Sequence, residues 1–237
     1  MKKKILGISL VVALIAIMVS GTLAYFTAED ELTNTFTVGS VLIEIFENNE
    51  KTDDDTMEFE KPLTPVVKDP PSTDESYIHK AVKVQNTGLN AAYIRTHLAI
   101  PTKLVDYLVL DLNLSADGWV QIGTATETGD YTVYTYDYTA KLEPNAFTPD
   151  LLKGVYLASD VDLEEDNNGS LWFVKKTNGE ITGHSGFMAH EKAATGYTST
   201  TINVLVASQA IQAQGFDNGA TNALNTGFGQ GTNPWQQ

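Results

Sequence analysis

Apolar and polar residues alternate with a period of two through much of this chain. Residues 131–139 are the clearest case, and one face of this stretch carries Thr132, Tyr134, Tyr136 and Tyr138. Such alternation is typical of a half-buried β-strand. Similar stretches, rich in β-branched and aromatic residues, predict further strands at residues 36–46, 77–85, 91–100, 153–162, 170–176, 180–187 and 201–208.

Turn residues separate the predicted strands at short intervals. Asn178 and Gly179 form the dipeptide most typical of a two-residue β-hairpin. Residues 86–90 suit either a hairpin or a tight corner, and the prolines within residues 47–76 indicate a loop or an extended edge. Apolar residues at helical spacing predict short helices at residues 103–112 and 215–229.

About eight to ten strands with little helix predict an all-β fold. The expected architecture is an antiparallel β-sandwich or jelly roll with short helices in the connecting loops. The sequence has no internal repeat and no linker between two cores, so we assign a single jelly-roll domain to residues 41–229. Residues 230–237 are expected to form a flexible tail apart from Trp235.

The first 24 residues have the layout of an export signal. Three lysines at residues 2–4 precede an apolar stretch, and small residues occupy the two positions that a signal peptidase reads, Thr22 and Ala24. Cleavage after Ala24 would make Tyr25 the new N-terminus. The alternative is an uncleaved membrane anchor, because residues 5–24 are long enough to span a bilayer as a helix.

Composition narrows the classes of partner. The formal net charge is −15, and it becomes −18 without the signal segment, which carries three lysines and no acid. This charge opposes binding to nucleic acid and docking on anionic lipid, and it argues against stable membrane insertion after cleavage. The chain has no cysteine, so an exported form must rely on core burial, assembly or bound ions rather than disulfides. A protein exported by a prokaryote to the cell surface or medium fits these features.

Several separate segments, taken together, resemble one known family. In chain order they are GTLAYF at 21–26, NTFTVG at 34–39, VLIEI at 41–45, KDP at 68–70, VQNTG at 84–88, AYIR at 92–95, LEP at 142–144, TPDLL at 148–152 and VASQAIQAQGF at 206–216. Their order and spacing cover most of the chain. By these segments the chain resembles the TasA/camelysin family of exported fibre-forming proteins, which are processed by a SipW-type signal peptidase.

The resemblance implies a secreted jelly-roll domain that assembles into extracellular filaments of a biofilm matrix or pilus. It implies two kinds of partner, namely copies of the same chain in a homopolymer and the signal peptidase during export. In such filaments the mature N-terminal segment, here residues 25–40, acts as a donor strand that completes the sheet of a neighbouring subunit.

The residues themselves are compatible with a donor strand. Residues 25–38 would reach on the order of 45 Å when extended, which is enough to cross a neighbouring sandwich. Strand addition draws affinity from main-chain hydrogen bonds and specificity from alternate side chains. The alternate apolar side chains on one face would be Phe26, Leu32, Phe36 and Val38. The alternative is that residues 36–46 form an ordinary first strand of the same subunit.

Enzyme chemistry has little support in the sequence, so we expect no catalytic activity. Camelysin-like proteins have been classed as metallopeptidases, but the HExxH pattern of a zinc peptidase is missing. His190 and Glu191 lack the second histidine, and His184 lies six residues before His190. His79 and His97 occupy like positions of a possible hairpin, where a cross-strand metal pair is conceivable. No cysteine, GxSxG elbow or phosphate-binding loop is present.

Two binding alternatives stay open. Jelly rolls also serve lectins, so the face with Tyr134, Tyr136 and Tyr138 is a candidate for glycan binding in a monomeric module, although core packing is favoured. No cofactor is required, but an acidic run could supply hard oxygen ligands to Ca²⁺. The calcium candidates are Asp160, Asp162, Glu164 and Asp166, and a solvated acidic turn is the simpler interpretation.

Overall fold

The computed structural model describes residues 41–52, 56–57, 63–66, 68–230 and 234–235. Within these residues the chain forms fifteen β-strands, one short 3₁₀ helix and one α-helix. Every strand pairing between the named strands is antiparallel. The predicted all-β, antiparallel fold class is therefore confirmed.

Five strands form the first sheet. In chain order they are β1 (Ile43–Glu47), β2 (Glu50–Thr52), β4 (Ile78–Asn86), β6 (Leu108–Leu112) and β10 (Leu152–Leu157). Their spatial order is β2-β1-β4-β10-β6, so the two longest-range neighbours, β4 and β10, lie at the centre. A register shift in β10 separates Leu152 from Gly154.

A second sheet has six strands. They are β3 (Thr56–Met57), β5 (Ala92–Pro101), β7 (Trp119–Gln121), β8 (Thr126–Thr128), β9 (Tyr131–Leu142) and β15 (Val204–Gln212). The spatial order is β3-β15-β5-β9-β7, and β8 also pairs with β9. The central strand β5 is buried along its whole length, including the polar residues Arg95, Thr96 and His97 in its middle.

A third sheet is an excursion between β10 and β15. It contains β11 (Val161–Glu165), β12 (Leu171–Thr177), β13 (Glu180–Ala193) and β14 (Gly196–Ser199) in sequential order. The predicted hairpin joins β12 to β13, and both turn residues have positive φ, 54° at Asn178 and 84° at Gly179. Asn and Gly tolerate this left-handed backbone, which is why the dipeptide marks the turn.

The main core lies between the five-stranded and six-stranded sheets. Alternate residues of β4 and β5 contribute to it, including Val82, Val84, Ile94 and Leu98, and the inner residues of the third sheet extend it. The sequential connection from β4 to β5 passes from one sheet to the other, so residues 86–90 form a corner rather than a hairpin. Because these consecutive strands lie in two sheets that share one core, the chain forms a single sandwich.

A helix covers the other face of the six-stranded sheet. This helix, α1 (Ala220–Phe228), begins after Gly219 and ends at Gly229, within the predicted range of 215–229. A second, smaller apolar cluster joins it to the sheet through Tyr93, Ile211, Ala223 and Leu224. The helix therefore makes the outer face of β5 and β15 a buried surface.

The helix predicted at residues 103–112 is wrong. The chain instead forms a 3₁₀ turn at Thr102–Leu104 and then the strand β6, which pairs with β10. Apolar residues at helical spacing are present, but Leu104, Tyr107 and Leu108 are buried by the turn and the strand just as well. Long-range pairing with β10 overrides the local helical pattern. The count of eight to ten strands was also too low, because β2, β3, β7, β8 and β14 have only two to four residues each.

Tyr77 crosses the outer face of the five-stranded sheet at a glycine. Its hydroxyl donates to Asp111 Oδ2 at 2.8 Å, and its ring stacks on Tyr156 with centroids 6.0 Å apart. A Cβ at Gly154 would overlap the ring of Tyr77. Glycine at position 154 therefore allows the tyrosine to lie flat and reach the acid on the neighbouring strand.

Replacing Gly154 with alanine should displace this ring and destabilise the fold by about 1–3 kcal/mol, the usual cost of overpacking. Chemical denaturation with a tryptophan fluorescence readout measures the change. The double variant Gly154→Ala/Tyr77→Ala should lose less stability than the sum of the two single variants, because they remove the same contact. Additive losses would contradict the steric account.

Candidate functional site

Strand β15 leaves a sheet edge open in the described part of the chain. On one side β15 pairs with β5 from Leu205 to Gln212. On the other side, within the described residues, only Val204 and Leu205 have strand partners, both in β3. Residues 206–212 thus present a seven-residue edge whose outward N–H and C=O groups have no strand against them among the described residues.

This edge borders the main core. Val204, Val206 and Ala210 of β15 point into the core, and β1 of the facing sheet packs against the same strand. On the opposite face Ile211 packs under α1. An added strand would therefore extend the six-stranded sheet and place its alternate side chains at the open side of the sandwich.

A buried acceptor just before β15 lacks a partner. Oδ1 of Asn203 is buried and has no hydrogen-bond partner in the described part of the structure. A buried unsatisfied polar atom costs about 1–3 kcal/mol. The next two residues, Val204 and Leu205, already pair with β3, so this acceptor lies outside the open edge of residues 206–212.

The predicted donor and cleavage residues lie outside the described residues. These are Ala24, Tyr25, Phe26, Leu32, Phe36 and Val38. The described chain begins at Val41, which is buried in the main core, and continues into β1. Residues 25–40 therefore lead directly into the strand that faces β15.

A buried ion pair fixes α1 to the six-stranded sheet. Arg95 of β5 binds Asp137 of β9 through two hydrogen bonds, Nε to Oδ1 at 2.7 Å and Nη2 to Oδ2 at 3.0 Å. The same guanidinium donates to Asn225 Oδ1 at 2.7 Å and to the carbonyl oxygen of Gly229 at 2.8 Å. Both charged side chains are fully buried. Two of these four hydrogen bonds join β5 to β9 and two hold the helix end, so the pair has a structural role.

His97 lies next to this ion pair and is also fully buried. Its Nε2–H donates to Gln209 Oε1 at 3.2 Å, and the Thr135 hydroxyl donates to Nδ1 at 3.1 Å. The ring of Trp235 lies 6.4 Å away, edge to face. Burial lowers the pKa of His97 to about 4, and the charge of Arg95 acts in the same direction. The imidazole is therefore neutral at neutral pH and serves as a packed polar group.

The structure does not bring the histidines together. His79 is exposed in the five-stranded sheet and His97 is buried in the six-stranded sheet, so the conceivable cross-strand metal pair is wrong. His190 interacts with Ser199 and Tyr197 on the third sheet. In residues 41–52 and in the other described ranges, no three His, Asp or Glu side chains are placed to hold a metal ion.

The four calcium candidates are already engaged by other groups. Lys175 binds Asp160, and Lys176 binds both Asp162 and Glu164. The hydrogen bond from Lys176 also lowers the pKa of Asp162. Asp166 accepts from the Trp172 indole N–H and from backbone N–H groups of its own turn, and these bonds lower its pKa. Lysines of β12 thus pair with three of the four carboxylates, and N–H groups bind the fourth.

The tyrosine face of β9 belongs to the core. Tyr136 is fully buried, and Tyr134 and Tyr138 pack against the main cluster. Tyr138 also contacts the Trp119 ring at 5.5 Å. The favoured interpretation of this face as packing is confirmed.

The chain was compared with protein-family models and with curated proteins. No family model matches the chain, and no curated protein gives a significant match. Within the described part of the chain, no helix combines the length and apolar character needed to cross a membrane.

The burial of neutral His97 predicts a dependence of stability on pH. The unfolded chain takes up a proton near pH 6.5, whereas the folded chain does so only near pH 4. Between these values the unfolded state binds more protons, so folding stability falls as the pH is lowered. The contribution of this residue is on the order of 3 kcal/mol.

Thermal or denaturant unfolding of the protein and of His97→Gln, measured from pH 7 to pH 4, tests this expectation. The substitution should flatten the pH dependence in that window. His184→Gln, at an exposed histidine, is the matched control and should leave the profile unchanged. Parallel profiles for the protein and the His97 variant would contradict the assignment.

Proposed function

We propose that this chain is a secreted structural subunit that assembles into extracellular filaments by donor-strand exchange. In this proposal residues 25–40 of one copy add a strand to the open edge of β15 in the next copy. The single observation that carries the proposal is the seven-residue edge at residues 206–212, which borders the main core. The resemblance of the sequence to the TasA/camelysin family supports the same conclusion.

The dimensions of the two elements are compatible. The open edge of seven residues is about 23 Å long at roughly 3.3 Å per residue. The segment before Val41 has 16 residues from Tyr25 and so exceeds this length with residues to spare as a linker. Because alternate residues of an added strand face the core, Phe36 and Val38 would enter the sandwich together.

Export precedes assembly in this proposal. A SipW-type signal peptidase would cut after Ala24, so that Tyr25 begins the mature chain and the protein reaches the cell surface or the matrix outside a prokaryotic cell. The acidic surface, with a net charge of −15 for the whole chain, favours solubility of the subunit. Assembly would then stabilise a chain that has no disulfides by mass action.

No specific observation favours a second function. The metallopeptidase alternative needs a metal-binding group that the described residues do not bring together. The glycan-binding alternative relied on tyrosines that the structure places in the core. The mechanism we propose is association rather than catalysis.

Phe36→Asp in the mature chain should abolish filaments and leave the domain folded. A charge at this position would have to enter the apolar acceptor groove, where an unpaired carboxylate is strongly disfavoured. Negative-stain electron microscopy and sedimentation measure assembly, and circular dichroism with thermal melting measures folding.

Thr37→Asp is the matched control, because it adds the same charge one residue further on, where the side chain of an added strand points away from the core. This variant should still assemble. Filaments formed by Phe36→Asp at the level of the unchanged protein would show that residues 25–40 are not the donor.

A further inference from the structure

Exposed apolar side chains occur along the strand β1. In the described residues six large apolar side chains are exposed, and three of them border β1. These are Leu42, 54% exposed, Leu89, 73% exposed, and Phe147, 43% exposed. We name these three residues the exit patch, because the described part of the chain begins beside them, at Val41.

Backbone hydrogen bonds hold the exit patch together. The carbonyl oxygen of Leu42 accepts from the N–H groups of Thr87 and Gly88, at 2.9 Å and 3.1 Å, so Leu89 follows directly. Asn86 donates to the carbonyl oxygen of Ala146 at 3.0 Å, which anchors the loop that carries Phe147. The patch is thus built from three separate chain segments that are fixed to one another.

The Phe147 ring is fixed in place although its surface is exposed. It meets the Phe46 ring edge to face with centroids 5.0 Å apart, and Lys83 Nζ lies 4.8 Å from its centroid. The patch therefore combines preorganised apolar surface with a lysine, on a chain whose net charge is −15. Such a surface suits contact with another acidic subunit better than most of the molecule does.

The position of the patch identifies its partner. Leu42 is only two residues beyond the end of the proposed donor segment, so any copy that accepts residues 25–40 is tethered within a few ångströms of the patch. Tethering gives the second contact a high effective concentration. We propose that the exit patch docks on the accepting copy of this chain and forms a second subunit contact beside the donor strand.

This inference rests on the proposed function, and it adds a requirement. Three side chains cannot provide the roughly 1,000 Å² that a stable interface needs by itself. The patch should therefore contribute only together with the donor strand, and donor-deficient chains should stay monomeric although they carry the whole patch.

Leu89→Ser and Phe147→Ser in the mature chain test the inference. Each should raise the critical concentration for filament formation by about tenfold, as expected when one large apolar side chain no longer becomes buried. Ile181→Ser is the matched control, because Ile181 is 43% exposed, as is Phe147, but lies at the distant hairpin between β12 and β13. Thermal melting should show all three variants folded.

A second measurement separates the patch from the donor groove. A synthetic peptide of residues 25–40 is titrated into Phe36→Asp chains with and without the two patch substitutions. Equal peptide affinity together with a raised critical concentration supports the exit patch as a separate contact. An unchanged critical concentration, or a loss of peptide affinity in the patch variants, would overturn it. The proposed function itself would be overturned if the unchanged mature chain formed no filaments and the Phe36→Asp chain without patch substitutions bound no peptide.

Discussion

The structure depends on apolar burial between two antiparallel sheets. The chain has no cysteine and a net charge of −15, so neither cross-links nor surface ion pairs can substitute for this core. The strands that supply most of it, β4 and β5, follow one another through a corner that carries the chain from one sheet to the other. The edge strands of such a sandwich carry unpaired N–H and C=O groups. The proposed function depends on the edge that stays open beside the core.

The two long faces of the six-stranded sheet are used differently. The inner face joins the main core, and the outer face is closed by α1 through an apolar cluster and through the buried Arg95–Asp137 pair. Removing one partner of such a pair leaves an uncompensated charge, so the pair makes the position of the helix end specific rather than merely favourable. With both faces covered, the sheet can still add a strand at residues 206–212 of β15, which have no strand partner on one side among the described residues. The exit patch borders β1 in the facing sheet, and we propose that the edge and the patch take part in one mode of association.

The sequence predicts the fold class well because period-two alternation is a direct consequence of strand geometry. The β9 face, the Asn178-Gly179 hairpin and α1 follow from local patterns. The structure of residues 103–112 does not follow from a local pattern, because pairing with the distant strand β10 makes residues 108–112 a strand rather than a helix.

The sequence analysis also missed the Arg95–Asp137 pair, for a related reason. Nothing in the local sequence of either strand names the partner, and only the β5–β9 register places the two residues opposite each other. The open edge of β15 also depends on strand order, which the sequence does not encode locally. The predicted donor residues lie outside the described residues, so their role stays a prediction.

Amide hydrogen exchange of residues 204–212 tests the central claim most directly. The account predicts that outward-facing amides of β15 exchange fast in the dispersed mature subunit and become strongly protected in filaments, with residues 25–40 protected in the same sample. Filaments in which the exchange of β15 is unchanged would contradict strand addition at this edge. Protection of both segments already in the monomer would show that each copy completes its own sheet, and it would equally contradict exchange between copies.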